Sequence, residues 1–347
     1  MKAAVYHGMR GISLDEVPDP VIAASTDAIV DIEYAAVCGS DLWTYRGQGA
    51  KAPTRIGHEF VGTVREVGSA VRSVKPGDWV IVPFRFSDGV CRFCRRGWET
   101  ACLNGGFWGR ESVDAGQGQA ATVPYADGTL VKALPDGSRP DEKSIPSLLT
   151  LADVFTTGYH AAVQAGVGPG DVVTVVGDGA VGLCAIMACR LLGATRVINA
   201  GSTHEDRNRM AREFGADVVV SSRGADAVGE IRGLTGGSGP DRVLECVGSP
   251  QSFSTVLAMC AKGGTVSYVG IPHGVTVEMG PLFSRDVTIT GGMSPAHHYL
   301  ASLVPDVLDG TIEPGRVFTA TYPLEEISRA YADMDARRVI KPLIRVA

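Results

Sequence analysis

Three places in this 347-residue chain gather side chains that could do chemistry. The first is a pair of short segments, Cys38-Gly39-Ser40-Asp41 and Gly57-His58-Glu59, each setting a soft or borderline metal donor beside a polar neighbour. The second is Ser87-Asp88-Gly89-Val90-Cys91-Arg92-Phe93-Cys94 with Cys102 shortly after, a concentration of thiols that suggests another metal site. The third is Gly177-Asp178-Gly179-Ala180-Val181-Gly182, which follows the β-rich run Val172–Val176 and precedes Leu183–Leu192 at helical spacing. Strand, glycine turn and helix in that order form a dinucleotide site. Gly177 makes the tight turn, Gly179 lets the backbone approach a pyrophosphate, and Gly182 lets helix pack on strand. The helix start at Ala180 and Val181 offers unpaired N–H groups and the positive end of its dipole.

An NAD site places an acid about 20 residues further on, where it holds the ribose hydroxyls. The stretch there is Ile198-Asn199-Ala200-Gly201-Ser202-Thr203-His204-Glu205-Asp206-Arg207, without a carboxylate at the end of the strand. Gly201 leaves room for a 2′-phosphate, Ser202 and Thr203 can donate hydrogen bonds, and His204 or Arg207 adds positive charge. NADP is therefore expected over NAD. The competing reading pairs Arg207 with Glu205 or Asp206 on a solvated helix start.

The elements that must position these groups change character along the chain. Up to about residue 150 the apolar runs are short and broken by Gly, Pro and Asp, as in Val74–Val82, which reads as strands joined by tight turns. From about 154 to 290, β-rich runs (172–176, 196–200, 218–221, 242–247, 265–269 and 287–290) alternate with helical stretches, the pattern of a parallel sheet with crossover helices. A helical segment around Tyr299–Leu308 and a last strand, 339–346, fall outside that alternation and are expected to return to the first domain. The net charge of −6, without a basic stripe, argues against nucleic acid. The N-terminus lacks the apolar core of a signal peptide and no stretch is long enough for a membrane span, so a cytoplasmic protein is expected. Eight cysteines in such a chain read as ligands or core residues, with Cys184, Cys189, Cys246 and Cys260 assigned to the core.

Together with Leu151-Ala152-Asp153-Val154-Phe155-Thr156-Thr157-Gly158, the Lys75-Pro76-Gly77-Asp78 turn, Glu245-Cys246-Val247-Gly248, Gly263-Gly264 and Ile340-Lys341-Pro342, these motifs resemble the zinc-dependent alcohol dehydrogenases of the medium-chain dehydrogenase/reductase superfamily, from Met1 to the C-terminus. The resemblance implies an α/β protein with a GroES-like, mainly-β catalytic domain (1–153 and 291–347) and a Rossmann doubly wound parallel sheet (154–290). It implies a catalytic zinc on Cys38, His58 and Asp153, with Glu59 as a possible exchanging ligand. Asp41 would hold His58 from behind, and Lys341 would neutralise Asp41 and Glu59. The metal would lower the pKa of a bound alcohol so that an alkoxide releases hydride to the nicotinamide, with Ser40 taking the alcohol proton.

Trp43 stands where the family has its outer relay histidine, and is expected to shape the substrate pocket instead. A structural zinc would take Asp88, Cys91, Cys94 and Cys102, with Asp88 in the place of the family's first cysteine. Val247 joins the cofactor contacts. Phe84, Trp108 and Met293 are candidates to line an apolar cleft, and His297 and His298 read as surface residues. The substrate class implied is a small alcohol, aldehyde or ketone, handled by a homo-oligomer, dimer or tetramer. A zinc-free quinone or enone reductase and a non-catalytic NADPH-binding protein are the alternatives.

Overall fold

A computed structural model describes residues 1–109 and 113–346. The chain divides into two compact units, Met1–Asp153 with Pro295–Ala347, and Val154–Ser294. Residues 291–294, expected with the first domain, belong to the second unit. Gly291 ends a strand paired with Thr265–Tyr268, and the Ser294 hydroxyl donates to the Thr156 carbonyl.

The first unit is mainly β. Its largest sheet runs Val131–Lys132, Trp79–Val82, Phe60–Val67, Ala28–Ala36, Lys341–Arg345 and Phe318–Pro323, with Ala120–Val123 also paired to Ala28–Ala36. All four residues of Trp79–Val82 are buried because the strand lies inside the sheet, which explains its unbroken apolar run. The C-terminal strand Lys341–Arg345 joins antiparallel to Ala28–Ala36, so the chain end is stitched into the same sheet as the segment leading to Cys38. A three-stranded sheet (Gly11–Glu16, Lys2–Gly8, Thr54–Arg55) and the small pair Arg85–Phe86 with Gly106–Phe107 complete the strands described in this unit.

The second unit holds a six-stranded sheet in the spatial order Val218–Val220, Arg196–Ala200, Val172–Val176, Arg242–Glu245, Thr265–Tyr268 and Thr288–Gly291, every neighbouring pair parallel. Numbered along this unit the order is 3-2-1-4-5-6, so winding reverses beside Val172–Val176, and ligands of such sheets bind at the strand carboxyl ends next to that reversal. The glycine turn Gly177–Gly182 lies at that end. Helices cover the sheet, among them Val154–Ala165, which precedes its first strand, and the crossover helix Ala180–Leu191, and these two pack closely on each other: a Cβ on Gly158 would lie 2.5 Å from the Ala185 nitrogen.

Candidate active site

Three loops of the first unit bring Cys38, His58, Glu59 and Asp153 together. Each supplies one donor atom, and the four atoms lie within 4.8 Å of one another. Cys38 follows the end of the strand Ala28–Ala36. His58 and Glu59 lead into Phe60–Val67. Asp153 ends the first segment of the unit, three residues after the short helix Ile145–Thr150. Cys38 Sγ is 3.5 Å from Asp153 Oδ2 and His58 Nε2 is 3.1 Å from the same oxygen. Zinc bond lengths of about 2.0–2.3 Å in a tetrahedron separate neighbouring donors by about 3.3–3.8 Å. The thiol–carboxylate edge fits that figure and the imidazole–carboxylate edge is slightly tighter. A thiolate, an imidazole and a carboxylate form a sound zinc donor set, and these residues fit the metal.

The electrostatics agree with a site built for a cation. Burial pushes the Cys38 thiol up, and the Asp153 and Glu59 carboxylates push it the same way. For His58, burial disfavours the charged form, but the Asp41 and Asp153 carboxylates outweigh it and raise the imidazole well above its usual value. Both shifts favour the protonated forms of Cys38 and His58, against which a binding cation must compete.

Behind the donors, Asp41 Oδ1 lies 3.2 Å from His58 Nδ1, and Asp41 Oδ2 accepts from the Cys38 backbone N–H at 3.0 Å and from Gln117 Nε2 at 3.4 Å. Lys341 departs from the sequence expectation of a partner shared by both carboxylates: its buried ammonium lies 2.8 and 2.7 Å from the two oxygens of Glu59 and donates to the Val37 carbonyl at 3.2 Å. The partners of Asp41 include Cys38, His58, Gln117 and the hydroxyl of Tyr331. Burial lifts the Glu59 carboxyl to about 7 against the pull of Lys341. Ser40 is half-buried beside Cys38, at the start of the helix Asp41–Tyr45, with Trp43 half-buried one turn on.

A second cluster gathers Asp88, Cys91, Cys94 and Cys102, their donor atoms again within 4.8 Å of one another. Cys91 Sγ is 3.6 Å from Cys94 Sγ and 4.0 Å from Cys102 Sγ, bracketing the edge expected between two thiolates on one zinc. Asp88 also shapes the loop: Oδ1 accepts from the Val90 and Cys91 N–H groups and Oδ2 from the Asn104 amide. Burial alone would raise this carboxyl, but those donors hold it well below the usual carboxylate range. The N–H groups of Cys94 and Leu103 bring the Cys91 thiol down to about 7, whereas burial pushes Cys94 well up.

In the second unit the glycine turn has the shape of a cradle. Gly177 has φ +125°, and a Cβ there would lie 3.2 Å from Val247 Cγ2. A Cβ on Gly182 would sit 2.3 Å from the Gly177 carbonyl oxygen, so no side chain is tolerated, whereas Gly179 faces open space at the N-cap of the helix Ala180–Leu191. Open space there, an uncapped helix start and Ala180 and Val181 in the first turn suit a pyrophosphate.

Gly201, Ser202 and Thr203 follow the strand Arg196–Ala200, and Thr203 and His204 are exposed. Ser202 and Arg207 are buried, and both bind Asp178 of the glycine turn: the Ser202 hydroxyl donates to its carboxylate, and Arg207 Nη1 donates to its carbonyl at 3.0 Å and lies 3.7 Å from Oδ1. Arg207 thus reaches Asp178 of the glycine turn. Sequence reading missed Asp178 because its partners lie 24 and 29 residues away; the available signal was an acid inside a glycine turn where an apolar residue would serve.

The residues expected to line an apolar cleft differ in their surroundings. Phe84 and Trp108 are core: the Trp108 indole donates to the Pro83 carbonyl and its ring packs edge-on against Phe60 and Phe86. Met293 is exposed. His298 is exposed, but His297 is half-buried with Nδ1 3.8 Å from Glu99, so it is not a plain surface residue. Cys184, Cys189 and Cys260 are buried and Cys246 partly so. Among the described residues no helix is long and apolar enough to cross a membrane.

Residues 24–136 match the alcohol dehydrogenase GroES-like domain and residues 180–308 the zinc-binding dehydrogenase domain. The zinc-type alcohol dehydrogenase-like protein AdhB of Bacillus subtilis is 33% identical, over 97% of both chains. Among solved structures, the alcohol dehydrogenase TADH from Thermus sp. ATN1 superposes with a TM-score of 0.91 at 31% identity over the whole of both chains. A zinc-dependent alcohol dehydrogenase 2 from Streptococcus pneumonia gives 0.89 at 30% identity, over 99% of this chain and 98% of the other. With thiol, imidazole and carboxylate converging in a GroES-like unit, and a glycine cradle at the switch point of a Rossmann-like sheet, the chain belongs to the zinc-type alcohol dehydrogenases of the medium-chain dehydrogenase/reductase superfamily.

Proposed function

We propose that the protein transfers hydride between a small primary or secondary alcohol, or the matching aldehyde or ketone, and a nicotinamide dinucleotide, with NADP(H) favoured over NAD(H). The observation that carries this reading is the convergence of Cys38, His58 and Asp153 with donor separations suited to zinc. When bound, zinc supplies a Lewis acid for the substrate oxygen and the nicotinamide gives or takes the hydride. Cys38, His58 and Asp153 would hold the metal, and Asp41 would keep the proton of His58 on Nδ1 so that Nε2 is free to ligate. Ser40 Oγ would take the proton of the substrate hydroxyl and release one to solvent, to which this half-buried residue is open. Glu59, tied to Lys341, lies close enough to exchange with a donor. Gly177, Gly179, Ala180, Val181 and Gly182 would cradle the pyrophosphate, with Val247 against the turn. The missing carboxylate after Ala200, with Gly201, Ser202, Thr203 and Arg207 around the gap, supports NADP(H). Asp88, Cys91, Cys94 and Cys102 would hold a structural zinc. A homo-oligomer is supported by the edge strand Thr288–Gly291 and the exposed Met279 and Phe283 just before it.

The test is zinc per chain in protein purified without chelator, together with alcohol-dependent reduction of NADP and NAD. Two zincs are expected, with faster reduction of NADP. Cys38→Ser is expected to lose one zinc and at least about 100-fold in kcat/KM, the scale on which loss of a Lewis acid acts. Parental turnover in Cys38→Ser would overturn the reading.

A further inference from the structure

Gln117 is wholly buried, yet it belongs to none of the motifs above and lies 59 residues beyond His58 in sequence. Its amide uses both ends. Nε2 donates to the Ala36 carbonyl at 2.9 Å and faces Asp41 Oδ2 at 3.4 Å, while Oε1 accepts from the Tyr331 hydroxyl at 2.8 Å. Turning the amide over would set its oxygen against a carbonyl and a carboxylate, so the Ala36 carbonyl and Asp41 fix the orientation in which Asp41 receives a proton donor, while the Tyr331 hydroxyl holds the oxygen end. Tyr331 is itself wholly buried, on the helix Ile327–Asp335, against the ring of Tyr45. Asp41 in turn faces His58 Nδ1 and the Cys38 N–H, so a single carboxylate orients residues that supply two of the three proposed donors.

The backbone makes room for this arrangement at a specific place. Gly57, the residue before His58, has φ +97°, and a Cβ there would lie 2.3 Å from Gln117 Cγ. The loop carrying His58 and the segment carrying Gln117 are further tied by Gly116 N–H to Gly57 O at 2.9 Å and Gln117 N–H to Ile56 O at 3.3 Å. A position that excludes any side chain other than hydrogen is thus used to press a buried amide against the ligand loop.

We infer that Gln117, held at its oxygen end by Tyr331, is a positioning residue for the Cys38, His58 and Asp153 centre: it fixes Asp41, and through Asp41 the ring of His58 and the turn of Cys38. The inference rests on the zinc reading above. Outer partners of metal ligands typically change affinity 10- to 100-fold when removed. Gln117 stands one bond further out, so the low end of that range applies, and Tyr331, which holds Gln117 and also faces Asp41, falls below it.

The experiment uses the full-length zinc-loaded protein, with zinc release followed in a chelator competition, alongside the absorption spectrum of the cobalt(II)-substituted centre. Gln117→Met is expected to weaken zinc at the Cys38 centre about 10-fold and to alter the cobalt spectrum, with zinc at the Asp88 and cysteine cluster unchanged as an internal control. Tyr331→Phe, which removes one hydroxyl, is expected to weaken it about 3-fold and remains informative should Gln117→Met fail to fold. A merely structural role would lower Tm while leaving affinity and spectrum unmoved, and that result in either soluble variant would overturn the inference. A parent that binds no zinc at Cys38, His58 and Asp153 would overturn the zinc reading and this inference together, whereas a zinc-loaded parent with unmoved variants would overturn this inference alone.

Discussion

Acidification should loosen the second unit through one residue, His160. It lies in the helix Val154–Ala165 with 1% of its surface exposed, and burial brings its imidazole from 6.5 down to about 4. The folded protein thus resists charging this ring, while the unfolded chain charges it near 6.5. Its contribution to stability is fully present above 6.5 and is lost as the pH falls from there to about 4, because the unfolded state binds the proton first. Each unit of pKa difference is worth about 1.4 kcal/mol, so the whole span amounts to ~3 kcal/mol, with about 2 kcal/mol of it lost by pH 5. The assay is urea unfolding of the parent and of His160→Gln at intervals between pH 7.5 and 5. An amide does not titrate in this range, so any constant cost of the substitution cancels and only the pH-dependent difference counts. The variant should gain about 2 kcal/mol on the parent between pH 7.5 and 5. Parallel stability profiles would refute the reasoning, since they would mean that the ring is solvated or already charged in the folded protein.

Other perturbations reach the remaining features. Lys341→Met leaves the Glu59 carboxyl buried without its ammonium and should cost about 3 kcal/mol or more in thermal or denaturant unfolding of metal-stripped protein, while Lys341→Met with Glu59→Leu should recover most of that loss; a double variant no more stable than the single one would count against the pairing. Arg207→Leu should raise KM for NADP about 10-fold or more with little change for NAD, as expected for loss of a charge-assisted contact to phosphate; equal losses with both cofactors would assign Arg207 to holding the glycine turn through Asp178. Asp88→Ala removes a proposed ligand and three hydrogen bonds at once, and should lower zinc from two per chain to one without changing alcohol affinity; two zincs retained would show that the three thiols suffice.

The parts of the fold legible in the sequence were those written in contiguous residues. The strand, glycine turn and helix around Gly177–Gly182 carry their geometry in their own side chains, and the alternation that follows leads directly to a parallel sheet. Strand ends were read less well: the run 242–247 forms a strand only over Arg242–Glu245, because the buried Glu245 carboxylate accepts the N–H groups of Val247 and Gly248 and turns the chain out of the sheet. The ligand set emerged from resemblance because Cys38, His58 and Asp153 lie on three loops that meet only after the sheet has formed. Asp178 with Ser202 and Arg207, and Gln117 with Asp41 and Tyr331, stayed hidden for the same reason: each bond spans tens to hundreds of residues. Trp108 packs on Phe60 and Phe86, a placement the sequence could not give because an aromatic side chain carries no local sign of which face of a loop it covers.

The two proposed metal centres differ in charge in a way that matches different work. At the first, one thiolate and one carboxylate would balance a divalent zinc, while Glu59 is already neutralised by Lys341 and Asp41 is held by His58, Gln117 and a backbone N–H. A neutral, three-donor centre leaves the metal electron-poor with one position open, which favours polarising a substrate oxygen. At the second, three thiolates and Asp88 would bring a net charge of −2 and close the coordination. The exposed Arg95 and Arg96, in the turn Cys94–Arg96, and Arg92 beside them supply positive charge around that excess. A saturated, electron-rich site has little Lewis acidity to offer, and its donors also fold the loop that carries them, through Asp88 to the Val90 and Cys91 N–H groups. Placing an aspartate where a fourth thiol could stand keeps the same charge but exchanges a pure ligand for one that also organises the turn, so metal and loop would stabilise each other.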